Sequence, residues 1–514
     1  MIKFSLSKMS SSKEAPSLLE LALASLSSFI KESTLYYSRR LVRIQNVGCH
    51  DLVPVLMKCI SIFRHFIFRN VPFTLTSKVA SRILIGIEQS IQRRKRFSNP
   101  SANNLLNYSK ELFCIREFVN LIAVSNLGEL NLWNIEESLR TNIVTSLSKF
   151  TGLRCLNVGP GSNGDLSSSV IYHNSYLKGL SNLFLLSSLT VEHDCSDLII
   201  IACTNNCSQS LIYLNINYSK YVSDYSVNFI RKCTQLKRLS TFKTGLSPGG
   251  KIAILTGLST SLEYFDNGEF LNFISTNKFP HPFCLKEVFL AENAHKIHAW
   301  CPQIKKVVFD HNHSVNFSLL PNYNKLEEIQ VMGGILSCPS ILPAMESMGK
   351  GLLKITLVSM RDMEERLITT FFYHCPRLED LALINWQGLS HMDTYIPFES
   401  NTLKNLSISG DVSSNFLLSF IQLKKLKKLE IGKRIISDKF LLDAIINDKE
   451  ILRSLREFVI EDPLRFSLGS LYSLIEHLPN IRKLKGLYTW NCLSKIDVIN
   501  FQRLIRVNNL NVEI

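Results

Sequence analysis

The sequence predicts an α/β fold in which units of one helix and one strand are stacked into a solenoid. The first observation is a short pattern, Leu-x-x-Leu-x-Leu, of which Leu378/Leu381/Leu383 is a clear copy. The second is that this pattern returns at steps of about 25 residues from residue 127 to the C-terminus. The third is an apolar helix pattern before the strand motif.

The period is typical of leucine-rich repeats, in which each unit buries its apolar edge against its neighbours. Three copies depart from the pattern, because Thr241, Asn267 and Gly486 stand where an apolar residue is expected. The first positions of the sixteen copies are Leu127, Leu153, Leu186, Leu211, Leu236, Leu262, Leu285, Ile304, Leu326, Leu352, Leu378, Leu403, Leu426, Leu455, Ile481 and Val507.

The helix of each unit is indicated by apolar residues spaced by three and four. Leu367, Ile368 and Phe371 precede one strand motif, and the apolar residues of 440–446 precede another. Stacked units of this kind form a horseshoe, with a parallel sheet on the concave side and helices on the convex side.

The chain divides into three predicted regions. Residues 1–14 are rich in Ser and Lys and are expected to be a disordered tail. Residues 15–120 have helical spacing, as in Leu19, Leu23, Leu26 and Ile30, and are expected to form an α-helical N-terminal module. Residues 121–514 are expected to form a leucine-rich-repeat solenoid of about 16 units.

The side chains that flank the second motif residue are candidates for binding a partner. Strand residues alternate between faces, so these side chains point into the predicted hollow. They are mixed in sign and include aromatics, which favours a protein partner over a phosphate backbone. The candidates are Glu129, Asn131, Tyr213, Asn215, Glu287, Phe289, Glu328, Gln330, Asp380, Lys428, Glu430 and Glu457.

Composition restricts the class of protein. The net charge of +15 favours acidic partners without choosing among them, and the basic run Lys424, Lys425, Lys427 and Lys428 is explained by a helix C-terminus. Mean hydropathy is +0.09, and no apolar run reaches the roughly 18 residues of a membrane span. The thirteen scattered cysteines and the lack of a signal-peptide core predict a cytoplasmic protein with reduced thiols, with a nuclear location as the alternative.

No local pattern indicates catalysis. Nucleophile and base signatures are absent from the sequence, and the Gly-rich stretch 159–164 lacks the Gly-Lys-Ser/Thr ending of a phosphate loop. His295, His298 and Cys301 have ligand-like spacing, but neighbouring units of a repeat array would separate them. We therefore expect no enzyme activity, no cofactor and no metal site.

A Cys-Pro junction precedes several strand motifs, as in Cys301-Pro302 and Cys375-Pro376. It resembles the cysteine-containing, ribonuclease-inhibitor-like repeats of F-box leucine-rich-repeat proteins, which are substrate receptors of cullin ubiquitin ligases. The resemblance covers residues 121–514 and implies substrate recognition by the repeats. The Leu-Pro opening of an F-box is missing from residues 15–70, which departs from that family.

The start of the helical module resembles the elongin-binding box of VHL-box proteins. Ser17, Leu18 and Leu26 match the box, and Ala22 stands where the family usually has Cys. The resemblance implies that an amphipathic helix docks in a groove of the adaptor elongin B/C, whereas a diverged F-box in the same region would bind Skp1 instead.

A second short motif follows it. Val53, Pro54 and Met57 resemble the cullin-selecting box of the same family, which implies a cullin as a further partner. Two alternatives remain open. The helices could only cap the repeats of a scaffold or regulatory binding protein, since solenoid ends must cover an apolar edge. Binding of nucleic acid through the positive charge is the weakest alternative.

Overall fold

The computed structural model of the chain describes residues 18–46, 52–69, 71–96, 105–133, 135–160, 170–265, 282–290, 297–310, 317–334, 338–361, 365–389, 400, 402–412, 414–432, 452–460, 467–487, 493–507 and 512. The predicted tail 1–14, most of the Gly-rich stretch and the helix pattern at 440–446 lie outside these residues. The chain divides into two compact units, one comprising Leu18–Phe270 and the other containing Leu271–Ile514.

The first unit begins with four helices: α1 (Leu18–Asn46), α2 (Leu52–Phe68), α3 (Thr76–Arg96) and α4 (Leu105–Glu117). Apolar residues spaced by three and four, such as Ile30 and Ile83, form their buried faces. Helices α1 and α3 approach closely at Gly86, where a Cβ atom would lie 2.6 Å from the carbonyl oxygen of Ser27. A larger residue at Gly86 would push the two helices apart.

The repeats of the first unit alternate strands with helices, and neighbouring strands pair in parallel. The strands are β1 (Glu129–Asn131), β2 (Cys155–Pro160), β3 (Ser188–Glu192), β4 (Tyr213–Asn215), β5 (Arg238–Ser240) and β6 (Tyr264–Phe265). The helices are α5 (Glu137–Thr145), α6 (Val170–Leu180), α7 (Asp197–Cys207), α8 (Val227–Arg231) and α9 (Pro248–Gly257).

The second unit continues the same alternation, again with parallel pairing. Its strands are β7 (Glu287–Leu290), β8 (Lys306–Asp310), β9 (Glu328–Met332), β10 (Lys354–Val358), β11 (Asp380–Leu389), β12 (Asn405–Val412), β13 (Lys428–Ile431), β14 (Glu457–Ile460) and β15 (Lys483–Lys485). Its helices are α10 (Ile297–Trp300), α11 (Cys338–Met348), α12 (Glu365–His374), α13 (Ser414–Ile421), α14 (Leu468–His477) and α15 (Lys495–Val507).

The second residue of each motif is in register with its counterpart in the next strand and is buried. The column in the first unit is Leu130, Leu156, Leu189, Leu214, Leu239 and Phe265. The column in the second unit is Val288, Val307, Ile329, Ile355, Leu381, Leu406, Leu429, Phe458 and Leu484. The predicted α/β leucine-rich-repeat fold with an α-helical N-terminal module is confirmed.

The last predicted copy differs from the others. Val507 is the final residue of α15 and is 76% exposed, whereas the preceding first positions, such as Ile481, are buried. The strand expected after Val507 would fall on residues 508–511, outside the described part of the chain. Among the described helices, none is both long and apolar enough to cross a membrane.

Candidate protein-binding surfaces

An apolar groove lies between α1 and the end of α2 in the N-terminal module. It has a volume of about 360 Å³, and we name it the α1–α2 groove. Its floor contains buried residues such as Leu23 and Val79, while its rim is open to solvent. The groove is lined by Leu19, Ala22, Leu23, Leu26, Phe29, Phe66, Ile67, Val71, Pro72, Leu75 and Val79.

Large apolar side chains are exposed at this groove. Phe66 is 75% exposed and Phe29 is 47% exposed, and both line the groove. Ile62 is 61% exposed and lies one helical turn before Phe66. Exposed apolar residues that occur singly need no explanation, but a contiguous patch of them marks a site of interaction.

The structure brings together part of the elongin-box match. Ala22 and Leu26 lie on one face of α1 and line the α1–α2 groove. Leu18 is the first residue of α1, and Ser17 lies outside the described residues.

The cullin-box match lies elsewhere. The Phe63 ring packs between Phe29 and Tyr37, at 6.2 and 5.2 Å, while the later residues of α2 line the groove with the earlier residues of α1. The two helices therefore run in opposite directions. Val53, Pro54 and Met57 therefore lie towards the opposite end of α2 from Phe66, about 14 to 20 Å away along the helix. All three are exposed, but they do not line the α1–α2 groove.

Sequence reasoning missed Phe29, Ile62 and Phe66 as candidate binding residues. The signal was present in α2, which is apolar nearly all round although it belongs to a small helical module. Such a helix must be buried on every side or must leave apolar residues for a partner.

The same module also closes the first repeat. In β2 the N–H of Cys155 donates to the carbonyl of Gly128 at 3.0 Å, and equivalent bonds join later strands. At β1, whose pairing partner is β2, the N–H of Glu129 donates to Ser77 Oγ of α3 at 3.0 Å. The Ser77 hydroxyl thus takes the place of a strand carbonyl. Three turns further along α3, Glu88 accepts the N–H of Glu136 at 3.2 Å.

We use the term sheet face for the side chains directly before and after the second motif residue. In the second unit, the residues directly before it are charged or polar in almost strict alternation. They are Glu287, Lys306, Glu328, Lys354, Asp380, Asn405, Lys428, Glu457 and Lys483. A phosphate backbone crossing these strands would therefore meet repeated carboxylates, which disfavours nucleic acid on this face.

Ion pairs connect neighbouring strands of the sheet face. Lys306 pairs with Glu287 at 2.7 Å, and Lys485 pairs with Glu457 at 3.0 Å. Partial burial acts to raise the pKa of Glu457. The hydrogen bond and charge of Lys485, together with the charges of Lys428 and Lys483, outweigh this effect and hold the pKa below its usual value. These pairs are partly exposed, so each contributes at most about 1 kcal/mol.

The other predicted sheet-face residues lie as follows. Glu129 and Asn131 are exposed, and Tyr213, Phe289, Gln330 and Glu430 are half-buried. Asp380 accepts a hydrogen bond from Asn405 of the next strand. Asn215 departs from the expectation because it is only 8% exposed. Its Oδ1 accepts the N–H of Asn217 at 3.1 Å and its Nδ2 donates to Glu192, so it stabilises a turn.

Three neighbouring repeats of the first unit carry an exposed column of rings and a cation. The ring of His193 stacks on Tyr218 at 4.8 Å, and Tyr218 meets Phe242 edge-on at 5.4 Å. Lys243 Nζ lies 5.7 Å from the Tyr218 ring. His193, Tyr218 and Lys243 have φ of 69°, 62° and 54°, a region in which large side chains are disfavoured.

The equivalent turn of other repeats also has positive φ but uses smaller residues, such as Gly333, Ser359 and Asn385. The column was missed because only the apolar positions of the repeats were aligned. Its members could have been aligned by the same period, since Tyr218 and Lys243 both lie four residues after a second motif residue.

Three of the described buried thiols lie in surroundings that keep them protonated. Burial raises the pKa of Cys233, Cys301 and Cys375 to about 12, so these thiols stay protonated. His298 packs edge-on against Tyr323 at 6.2 Å, and His295 lies outside the described residues. Within the described segments, no group of three or more His, Cys, Asp or Glu side chains is placed to hold a metal ion.

Comparisons with known proteins gave structural similarities only. No protein-family model matches the chain, and no curated protein matches it. The crystal structure of the Rad7 and Elc1 complex in yeast is similar at a TM-score of 0.34 and 12% identity, covering 87% of this chain and 94% of that one. A leucine-rich-repeat protein of Leptospira interrogans is similar at a TM-score of 0.27 and 13% identity, covering 70% of this chain and 95% of that one.

Proposed function

We propose that the protein is a non-enzymatic recognition subunit of a cullin-type ubiquitin ligase. In this proposal the repeats bind a substrate protein, and the N-terminal helices bind the ligase adaptor. The observation that carries the proposal is the α1–α2 groove, which is apolar, open and bordered by Phe66 at 75% exposure. Ala22 and Leu26 of the elongin-box match line this same groove.

The groove suits an apolar side chain of the adaptor, so in this proposal the adaptor enters a groove of this chain, the reverse of the mode that the box resemblance implies. Its volume of about 360 Å³ is enough for one or two large side chains. The lining of the groove is apolar throughout, so the partner is an adaptor that presents an apolar side chain, for which elongin B/C is the first candidate and Skp1 the second.

A scaffold or regulatory binding protein without a ligase is the second candidate. It is favoured by the bonds from α3 to the first repeat, because Ser77 and Glu88 give the helices a role at the end of the repeats. Capping does not require Phe66 to be exposed. The two candidates therefore differ in whether Phe66 contacts a ligase adaptor.

The test is binding of purified elongin B/C, and separately of Skp1, to the full-length protein by calorimetry. We expect binding of one adaptor and at least a thirtyfold loss in Phe66→Asp, as for an aromatic residue at the centre of an interface. The matched control is Leu106→Asp on α4, since Leu106 is 67% exposed and does not line the groove. Both variants should keep the wild-type melting temperature.

Three outcomes decide between the candidates. Binding of elongin B/C that is lost in Phe66→Asp but kept in Leu106→Asp would support the proposal. The same result with Skp1 would support a ligase subunit with the other adaptor. A folded wild-type protein that binds neither adaptor would contradict the ligase proposal and leave the scaffold.

A further inference from the structure

The last four strands of the second unit carry a row of basic residues outside the alternating sheet face. Lys404, Lys427, Arg456 and Arg482 each stand two residues before the second motif residue, and we name them the basic row. The N–H of Lys427 donates to the carbonyl of Lys404, that of Arg456 to Lys427 and that of Arg482 to Arg456, each at 2.7 Å. The four residues therefore lie side by side at the start of four consecutive strands.

The basic row differs from the same position in earlier strands. In the earlier strands Lys305 pairs with Glu327 at 2.8 Å, and the first member of the row, Lys404, still pairs with Glu379 of the strand before it at 2.6 Å. Beyond Lys404 the position holds only cations. Lys427, Arg456 and Arg482 are exposed, and none of the three has an ion-pair partner within the described segments of the chain.

Structural roles do not account for this row. Helix α13 ends at Ile421, so its dipole reaches Lys424 but not Lys427, which lies six residues further on. The explanation of this lysine run by a helix end therefore fails for Lys427 and Lys428. Neighbouring strands of a sheet are about 4.8 Å apart, so the unpaired cations Lys427, Arg456 and Arg482 repel one another. Lys424 and Lys425 add further exposed positive charge in the turn before β13.

We propose that the basic row binds an acidic, extended segment of a partner protein, rich in Asp and Glu. The proposal names the substrate class of the repeats and in that sense rests on the proposed function. In an extended segment, side chains on one face recur at about 6.8 Å. The long Lys and Arg side chains of successive strands can reach carboxylates at this spacing. The two guanidinium groups add planar, bidentate contacts to carboxylates.

A shallow groove beside the row gives the segment a path. It has a volume of about 280 Å³ and ends at Lys428, next to Lys427. Its floor has the small residues Thr356, Ala382 and Ser407, one from each of three adjacent strands. A peptide chain can lie over small side chains while its carboxylates meet the cations.

The surroundings favour a peptide over nucleic acid. Glu379, Glu430 and Glu457 border the row at intervals, so its occupant needs uncharged residues between its anionic groups. A peptide can supply that spacing, whereas a phosphate backbone carries a charge at every nucleotide. Single-stranded nucleic acid also needs aromatic platforms for its bases. Of the described residues in β12 to β15 and the segments joining them, none is an exposed aromatic.

The test is fluorescence anisotropy with a labelled twelve-residue peptide of alternating Glu and Ser, added to the full-length protein. The variant is the triple change Lys427→Glu, Arg456→Glu and Arg482→Glu. The control is Lys178→Glu, Lys220→Glu and Arg231→Glu, which changes the net charge equally at exposed positions in the repeats of the first unit. We expect saturable binding by the wild type and the control, and at least a tenfold loss in the variant.

A Gln/Ser peptide and a twelve-nucleotide single-stranded RNA complete the design. No binding of the Gln/Ser peptide is expected. Equal loss in variant and control would mean attraction by net charge and would overturn the proposal. Tighter binding of the RNA than of the acidic peptide, lost in the variant, would overturn it in favour of nucleic acid. Adaptor binding measured on the same triple variant should be unchanged, so a failure of either proposal can be distinguished.

Discussion

At the scale of single residues, the carboxyl group of Asp194 is half-buried in the fold. Burial raises its pKa to about 6, although the charges of Arg140 and His193 act in the opposite direction. Its Oδ2 atom is buried and has no hydrogen-bond partner among the described residues. Between about pH 4 and pH 6 the folded state therefore binds more protons than the unfolded chain, and stability falls as pH rises through that range.

The change Asp194→Asn should remove this dependence. An amide carries no charge to desolvate, so we expect the variant to be more stable than wild type at pH 7. Because the carboxyl group is partly exposed and solvent screens its charge, the expected gain is about 1 kcal/mol rather than the full value that the raised pKa implies. At pH 4, where the carboxyl group is protonated in the fold, the two proteins should be about equally stable. Urea unfolding at pH 4 and pH 7 measures both values. A variant that is less stable at pH 7 would show that the charge pairs with Arg140 in the fold.

At the scale of elements, α3 completes the hydrogen bonding of a strand edge. The first strand of a solenoid leaves its N–H groups without a preceding carbonyl, and an exposed edge invites pairing with another chain. Ser77 supplies an acceptor to Glu129 at 3.0 Å, and Lys95 pairs with Glu136 at 3.0 Å in the same repeat.

The change Ser77→Ala should destabilise the first unit by about 1 kcal/mol, the usual contribution of one hydrogen bond. The matched control is Ser148→Ala, because Ser148 is exposed in the short helical turn after α5. Hydrogen exchange should show faster exchange of the β1 amides in Ser77→Ala only. Unchanged exchange of the Glu129 amide would mean that water replaces the hydroxyl.

The sequence predicts the repeats better than the surfaces, and the difference is physical. A second motif residue such as Leu381 must be buried whichever neighbours it has, so its position follows from the local pattern alone. The α1–α2 groove depends on how two helices of the module pack, which no local pattern determines. For this reason Ala22 and Leu26 were predicted as binding residues, whereas Phe29 and Phe66 were not.

The turns show the same division. The repeat period predicts where each strand ends, but it does not predict which turns carry His193 or Tyr218 in place of a small residue. Positive φ costs a large side chain about 1 kcal/mol, and the stacked rings offset part of that cost.

At the scale of the whole molecule, stability should be distributed as in a one-dimensional array. Within the second unit, each described strand pairs with the next, and each second motif residue packs in the column of its neighbours. In such an array the free energy is a sum of terms for single repeats and for the interfaces between adjacent ones. A local defect should therefore weaken its neighbours most.

Leu381→Ala tests this distribution. Leu381 is 1% exposed and lies in register between Ile355 and Leu406, so we expect a loss of about 2 to 5 kcal/mol. Hydrogen exchange should show the largest loss of protection in β10, β11 and β12, and a smaller loss in β7 and β15, because coupling passes only through adjacent interfaces. Ile499→Ala on α15 is the control, since Ile499 is 59% exposed. An equal loss in all nine described strands of the unit would mean that the unit unfolds as one cooperative body, in which case the nearest-neighbour account would be wrong.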